Sequence, residues 1–160
     1  MNIRDHAKLL LEVIANELPE GLVTQGVLDF DSNDECLLTL DHKVPLMMYL
    51  EEASRSLILN APIGLLPAGT VREAIMLEML QANYCWNMTE GGTLGVDRET
   101  GLICISYLVT LPLEEPSQMP SIIDKLAGIA QHWQHTLQEI LSSDAEDVRG
   151  PETAGMMIRA

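Results

Sequence analysis

Apolar residues recur along this chain with two different periods, and the changes of period mark its elements. From Ile3 to Leu18 the positions Ile3, Ala7, Leu10, Leu11, Ile14 and Leu18 share one side of a 3.6-residue repeat. Arg4, Asp5, Lys8, Glu12 and Asn16 fall on the other side, so the stretch predicts an amphipathic helix, ended by Pro19 and Gly21. Leu9 and Val13 flank the main stripe one turn apart and read equally well as a wide core face or as ligand contacts. Leu22 to Asn33 reads as a connector. Three short runs then predict strands: Cys36–Asp41, Val44–Leu50 with Pro45 near its start, and Arg55–Ile63, with a turn at 51–54. Strict alternation fails in all three, since Leu37 stands beside Leu38, Met47 beside Met48 and Ile58 beside Leu59. A half-exposed strand alternates. This sheet is therefore expected to be covered on one face and partly covered, or covered by a ligand, on the other.

Gly64 to Gly69 leads into Thr70–Trp86, the most apolar helix of the chain. Thr70 and Glu73 have the spacing of a capping box. Val71, Ile75, Met79, Ala82 and Trp86 fall on one arc, and Met76, Leu77, Leu80 and Tyr84 fall nearly opposite. A surface helix needs one apolar stripe. Two stripes predict burial on both sides, one against the chain's own sheet and the other against more of this chain or a partner. Thr93–Val96 and Leu102–Leu111 read as strands joined by the turn at 97–101. After Pro112, Pro116 and Pro120, Ser121 is expected to cap a last helix, with Asp124 at its positive end and a stripe of Ile122, Leu126, Ile129, Ala130, Trp133, Leu137 and Ile140. The pattern lapses after Ser142, which suggests one domain over 1–143 and a flexible tail over 144–160. The order is α-β-β-β-α-β-β-α. Short connections between most strands make this an α+β fold with a twisted, mainly antiparallel sheet and three helices.

Charge narrows the function. With 24 Asp+Glu against 9 Lys+Arg the formal net charge is −15, which disfavours nucleic acid and anionic membranes as partners. No apolar run reaches the ~18 residues of a membrane-spanning helix. The opening stretch, with Asp5, Glu12 and Glu17, does not read as a signal peptide. Cys36, Cys85 and Cys104 are an odd set without paired spacing, as in a reducing, cytoplasmic compartment, and their apolar neighbours suggest small buried side chains. His132 and His135 are one turn apart on the polar side of the last helix, with nothing to complete a metal site. The acidic run at Asp29, Asp31, Asp34 and Glu35 lacks the glycine and terminal glutamate of a calcium loop. Gly91-Gly92-Thr93-Leu94-Gly95 enters a strand rather than a helix and is followed by no lysine, so it is no phosphate loop. Neither a catalytic residue nor a cofactor site is expected. The competing class, a small hydrolase or ligand-binding enzyme, would need a deep polar pocket with shifted carboxylates.

The segment LEMLQANYCWNMTEGGTLGVDRETGLICISYLVTLPLEE resembles the helix–hairpin signature of class I type III secretion chaperones, the group that includes the Tir chaperone. The features that carry the resemblance are the Leu80-Gln81-Ala82-Asn83 helix end, the Gly-Gly-x-x-Gly strand and the Asp-x-x-x-Gly turn. RSLILNAPIGLLPAG looks like the third strand and exit loop of that family, and the resemblance covers about residues 5 to 142. It implies a cytoplasmic bacterial protein without enzymatic activity, a homodimer that binds the N-terminal segment of a secreted effector. It also implies that this complex is presented to the secretion apparatus, without ATP. An alternative within the same fold is a regulator that sequesters a transcriptional anti-activator. Carried over by position, the effector-binding residues would be Leu9, Val13, Leu38, Leu40, Leu46, Met48 and Ile58, with the strand parity left open. The dimer contact would fall on Met76, Leu77, Leu80 and Tyr84, or on the opposite stripe.

Overall fold

A computed structural model describes residues 2–17, 28–40 and 44–149, with the side chains of Leu40 and of 145–149 outside the description. The expected order is observed: α1 (Ile3–Glu17), β1 (Glu35–Leu40), β2 (Val44–Glu51), β3 (Ser56–Leu65), α2 (Val71–Asn83), β4 (Thr93–Val96), β5 (Leu102–Thr110) and α3 (Met119–Arg149). The five strands form one antiparallel sheet in the order β1-β2-β3-β5-β4. Strands β1 to β3 follow one another as hairpins. Strand β5 pairs with β3, so β4 is left at the far edge.

Burial alternates along β2. Val44, Leu46, Met48 and Leu50 point into the core, together with Leu38, Leu57, Leu59, Ile103 and Ile105 from the neighbouring strands. Helix α3 crosses β2, β3 and β5 on this face, and α1 lies beside α3. Helix α3 comes close to β3 at Gly64, where a Cβ would come within 2.6 Å of Leu137 Cδ2 and displace that side chain. Strand β3 is irregular between Pro62 and Gly64. The stripe of α1 is buried as expected at Ala7, Leu10, Leu11 and Ile14. His6 is also buried there, and its Nε2 accepts a bond from the Leu113 N–H at 3.0 Å, which ties α1 to the segment after β5. Leu18 and residues 22–27 of the expected connector lie outside the described residues.

Three local expectations are corrected. Thr70 has helical dihedrals and makes no side-chain cap, so the capping box with Glu73 does not form. The backbone instead closes the first turn, Arg72 N–H to Gly69 C=O and Glu73 N–H to Thr70 C=O, each at 3.3 Å. Helix α3 starts at Met119, after a 3-10 turn at Pro116–Gln118. Ser121 therefore sits inside the first turn rather than at the cap. The same helix continues past Ser142 to Arg149, beyond the apolar stripe that the sequence carries up to Ile140. A helix already nucleated on a packed face can extend without one.

Candidate functional site

The residues singled out in the sequence fall into two groups, some buried in the core and some exposed on the surface. Of the strand positions, Leu38, Leu46 and Met48 are fully buried in the core. A ligand could reach them only by displacing helices, and they are core residues rather than a binding surface. Ile58 projects the other way. The register sets Tyr49, Ile58 and Leu108 side by side across β2, β3 and β5, and Leu37 beside Met47 across β1 and β2. These five side chains form an apolar band on the face opposite α1 and α3. Leu37 and Leu108 are each 56% exposed, and the other three are half-buried. Beyond the band, Ser106 Oγ donates to Asn60 Oδ1 at 3.4 Å, a polar pair in the middle of the face. Further along stand Cys104 and the exposed Leu65. Leu9 and Val13 are half-buried on α1.

Backbone groups at the two sheet edges are treated differently. At β4 the Asn83 side chain closes the edge: its Oδ1 accepts from Leu94 N–H at 2.9 Å and its Nδ2 donates to Leu94 C=O at 3.0 Å. One amide thus reproduces a strand pairing and fixes α2 to β4. At β1, Asp31 does the same for Glu35, by backbone N–H to Glu35 C=O at 2.8 Å and by Oδ1 from Glu35 N–H at 3.0 Å. Leu50 N–H donates to Asp34 C=O at 2.9 Å, which sets the phase of the β1–β2 ladder. The alternation of an antiparallel pair then turns the backbone groups of Leu37 and Thr39 away from β2, toward the edge. Arg4 bridges Asp34 and Glu52 from α1 and holds this corner together.

Helix α2 separates its two stripes as expected. Val71, Ile75, Met79 and Ala82 are buried against β4 and α3. Met76, Leu77, Leu80 and Tyr84 are exposed, Leu80 at 67%. Trp86 does not continue the buried stripe: it is 57% exposed, because the helix ends at Asn83. A 3-10 turn at Tyr84–Trp86 follows, in which Cys85 and Trp86 have φ of 55° and 52°, and Glu90 and Gly91 are also left-handed. Each non-glycine residue there costs of order 1 kcal/mol. Packing from α3 holds the turn, with Trp133 Nε1–H donating to Met88 C=O at 3.2 Å and Lys125 pairing with Glu90 at 3.4 Å. Thr89 is wholly buried in it, its hydroxyl without a partner among the described residues. The turn carries Trp86 and Met88 to the surface beside Tyr84. They extend the exposed stripe, and helical periodicity alone could not place them.

Polar chemistry is sparse. A pocket of about 550 Å3 between this turn and α3 is lined by Met88, Glu90, Asp124, Lys125, Ile129 and His132. No hydrogen-bonded nucleophile–base pair occurs in it among the described residues. Among the same residues no group of three His, Cys, Asp or Glu is placed to hold a metal ion, and no helix is long and apolar enough to cross a membrane. Burial, with Asp29 and Asp31 nearby, pushes the Cys36 thiol up to about 11. Burial, with Asp97, raises that of Cys104 too. Cys85, expected to be buried, is exposed in the turn. The Tyr49 hydroxyl is raised by burial and by the nearby Glu35 carboxylate. Asp97 is lowered by the Thr100 hydroxyl and backbone N–H bonds that its Oδ1 accepts.

A search of curated proteins finds no match to the sequence. Solved structures of similar fold are found. The ExsC-ExsE complex aligns with a TM-score of 0.67 and 20% identity, over 84% of this chain and 96% of that one. The HopA1-SchA chaperone-effector complex aligns at 0.57 and 19% identity, over 81% and 94%. The Yersinia pestis type III secretion chaperone SycH, in complex with a stable fragment of YscM2, aligns at 0.57 and 12% identity, over 80% and 98%. Likeness at these identities is likeness of fold. Family membership rests on the sequence itself: residues 16–134, most of the chain, match the model of the Tir chaperone protein (CesT) family, and the chain belongs to that family.

Proposed function

We propose that this protein is a cytoplasmic type III secretion chaperone that binds the N-terminal region of a secreted effector and delivers it to the secretion apparatus by binding rather than catalysis. The observation that carries this reading is the apolar band of Leu37, Met47, Tyr49, Ile58 and Leu108, on a chain of a chaperone family. A sheet face covered by the chain's own helices would be closed, and one meant for water would be polar. This one is neither, and it suits a partner that arrives after folding. The backbone groups of Leu37 and Thr39 that point to the β1 edge, without a strand partner among the described residues, suit main-chain pairing with an extended part of the same partner. Leu9 and Val13 on α1 offer a further apolar contact.

The protein acts as a homodimer joined through the exposed stripe of α2, Met76, Leu77, Leu80 and Tyr84, extended by Trp86 and Met88. Affinity capture from the native cytoplasm, with Ile58→Asp as the paired variant, tests the reading. Recovery of a secreted effector by the unaltered chain and its loss with Ile58→Asp is expected. Recovery of a transcriptional anti-activator instead would favour the regulator reading, and equal recovery by both chains would count against the band as the site.

A further inference from the structure

Tyr84 is the most exposed large apolar side chain among the described residues, at 75%. It closes the exposed stripe of α2 at its C-terminal end. Its φ of −65° is helical, so its side chain leaves along the helical arc, and its ψ of 115° turns only the chain that follows. At about 100° per residue it shares one flank of the stripe with Leu77 and Gln81. That flank borders a hollow of about 260 Å3 between α2 and α3, lined by Ala74, Leu77, Glu78, Gln81 and Ile140. The hollow is smaller than a usual small-molecule site and suits a single large side chain. Ala74, Leu77 and Ile140 give it an apolar lining, while Glu78 and Gln81 can accept a hydrogen bond from a hydroxyl. An aromatic ring with a donor at its tip matches that combination.

The hollow is centred near Leu77 and Glu78, on the N-terminal side of Leu80, and Tyr84 lies one turn beyond Leu80 on the other side. A two-fold axis through Leu80 and perpendicular to α2 sets the helices of two copies antiparallel in an isologous contact. Tyr84 of one copy then comes opposite position 76 of the other, each about 6 Å from the axis. Helical side chains tilt toward the N-terminus of their own helix, so the ring leans toward Leu77 and the hollow of the other copy. A parallel pair would set Tyr84 against Tyr84 and leave both hollows empty. We infer that Tyr84 of each subunit anchors in the α2–α3 hollow of the other, a knob and hole used twice, which fixes an antiparallel α2 register and selects a second copy of this chain as the partner. The inference rests on the exposed stripe being the dimer contact, and it adds the register and the residue that recognises the partner.

Light scattering and native mass spectrometry of the full chain and of the variants Tyr84→Ala and Ala74→Leu test it. Both positions are exposed, so neither change touches the core, and leucine at 74 fills the hollow. Either variant alone should raise the dissociation constant of the dimer by at least about tenfold. In an equal mixture of the two, one half of the interface regains both a ring and an open hollow, so heterodimers should exceed their share by chance. Dimerisation unchanged in either variant, or no excess of heterodimer, would overturn the inference and, with Leu80→Asp monomeric, leave the stripe as the interface. Ala74→Leu that spares the dimer but abolishes effector capture would also overturn it, and would give the hollow to the effector. A parent chain that is monomeric, or Leu80→Asp that is as dimeric as the parent, would overturn the stripe and the inference together.

Discussion

Leu80→Asp is the sharpest probe of the proposed dimer. Leu80 is 67% exposed on α2, so the substitution removes little from the core of the subunit. Fully burying a leucine is worth about 1.5–3 kcal/mol, and covering the exposed two thirds about 1–2. A two-fold dimer contains the residue twice, which gives about 2–4 kcal/mol. Taking a carboxylate out of water adds to the loss. The dissociation constant should therefore rise by at least about 30-fold, and up to about 1,000-fold. Light scattering across a dilution series reads this directly: the unaltered chain should run near twice 17.7 kDa and the variant near 17.7 kDa. Far-ultraviolet circular dichroism of the variant should keep its helix and strand content. A variant as dimeric as the parent at every concentration would refute the assignment of the exposed stripe to the interface.

Asn83→Ala should cost about 1–3 kcal/mol in thermal or urea unfolding, since two bonds to Leu94 are lost and its backbone groups are uncovered. Asn83→Asp keeps the acceptor but loses the donor, and should fall between. Alkylation followed by mass spectrometry should modify Cys85 first and Cys36 last. Cys85 is exposed, whereas Cys36 is buried with its thiol pushed up to about 11, so little thiolate is present at neutral pH. The Asp97 carboxyl is lowered on folding, so its contribution is fully present above the ordinary carboxylate range and is lost as pH falls through the folded value. Asp97→Asn should therefore weaken the β4–β5 hairpin at neutral pH and narrow its difference from the parent in acid, as read by amide exchange at Glu99 and Thr100.

The element order was legible because each helix and strand buries a patterned face: the stripes of α1 and α3 and the runs of β1 to β3 follow from their spacing alone. Strand parity was not, for a physical reason. Met47 and Met48, or Ile58 and Leu59, are equally apolar because one of each pair fills the core and the other forms the open band. Hydrophobicity cannot separate a core face from an open one, so the candidates Leu38, Leu46 and Met48, named with the parity left open, prove to be core residues, while Leu37, Met47 and Tyr49 stand on the open face. Trp86 misled in another way. Its position continues a helical arc, yet the chain leaves the helix after Asn83, whose amide is committed to Leu94. The cap at Thr70 does not form because Thr70, following Gly69 with its φ of 87°, already has helical dihedrals rather than the extended ones of a capping residue.

The most direct measurement is amide hydrogen exchange on the full chain, alone and with the effector segment that it captures. Protection should rise at Met47, Tyr49, Ile58 and Leu108 and at the β1 edge residues Leu37 and Thr39, with α3 little changed. Protection confined to the pocket between the 84–90 turn and α3, with the open face unchanged, would contradict the account.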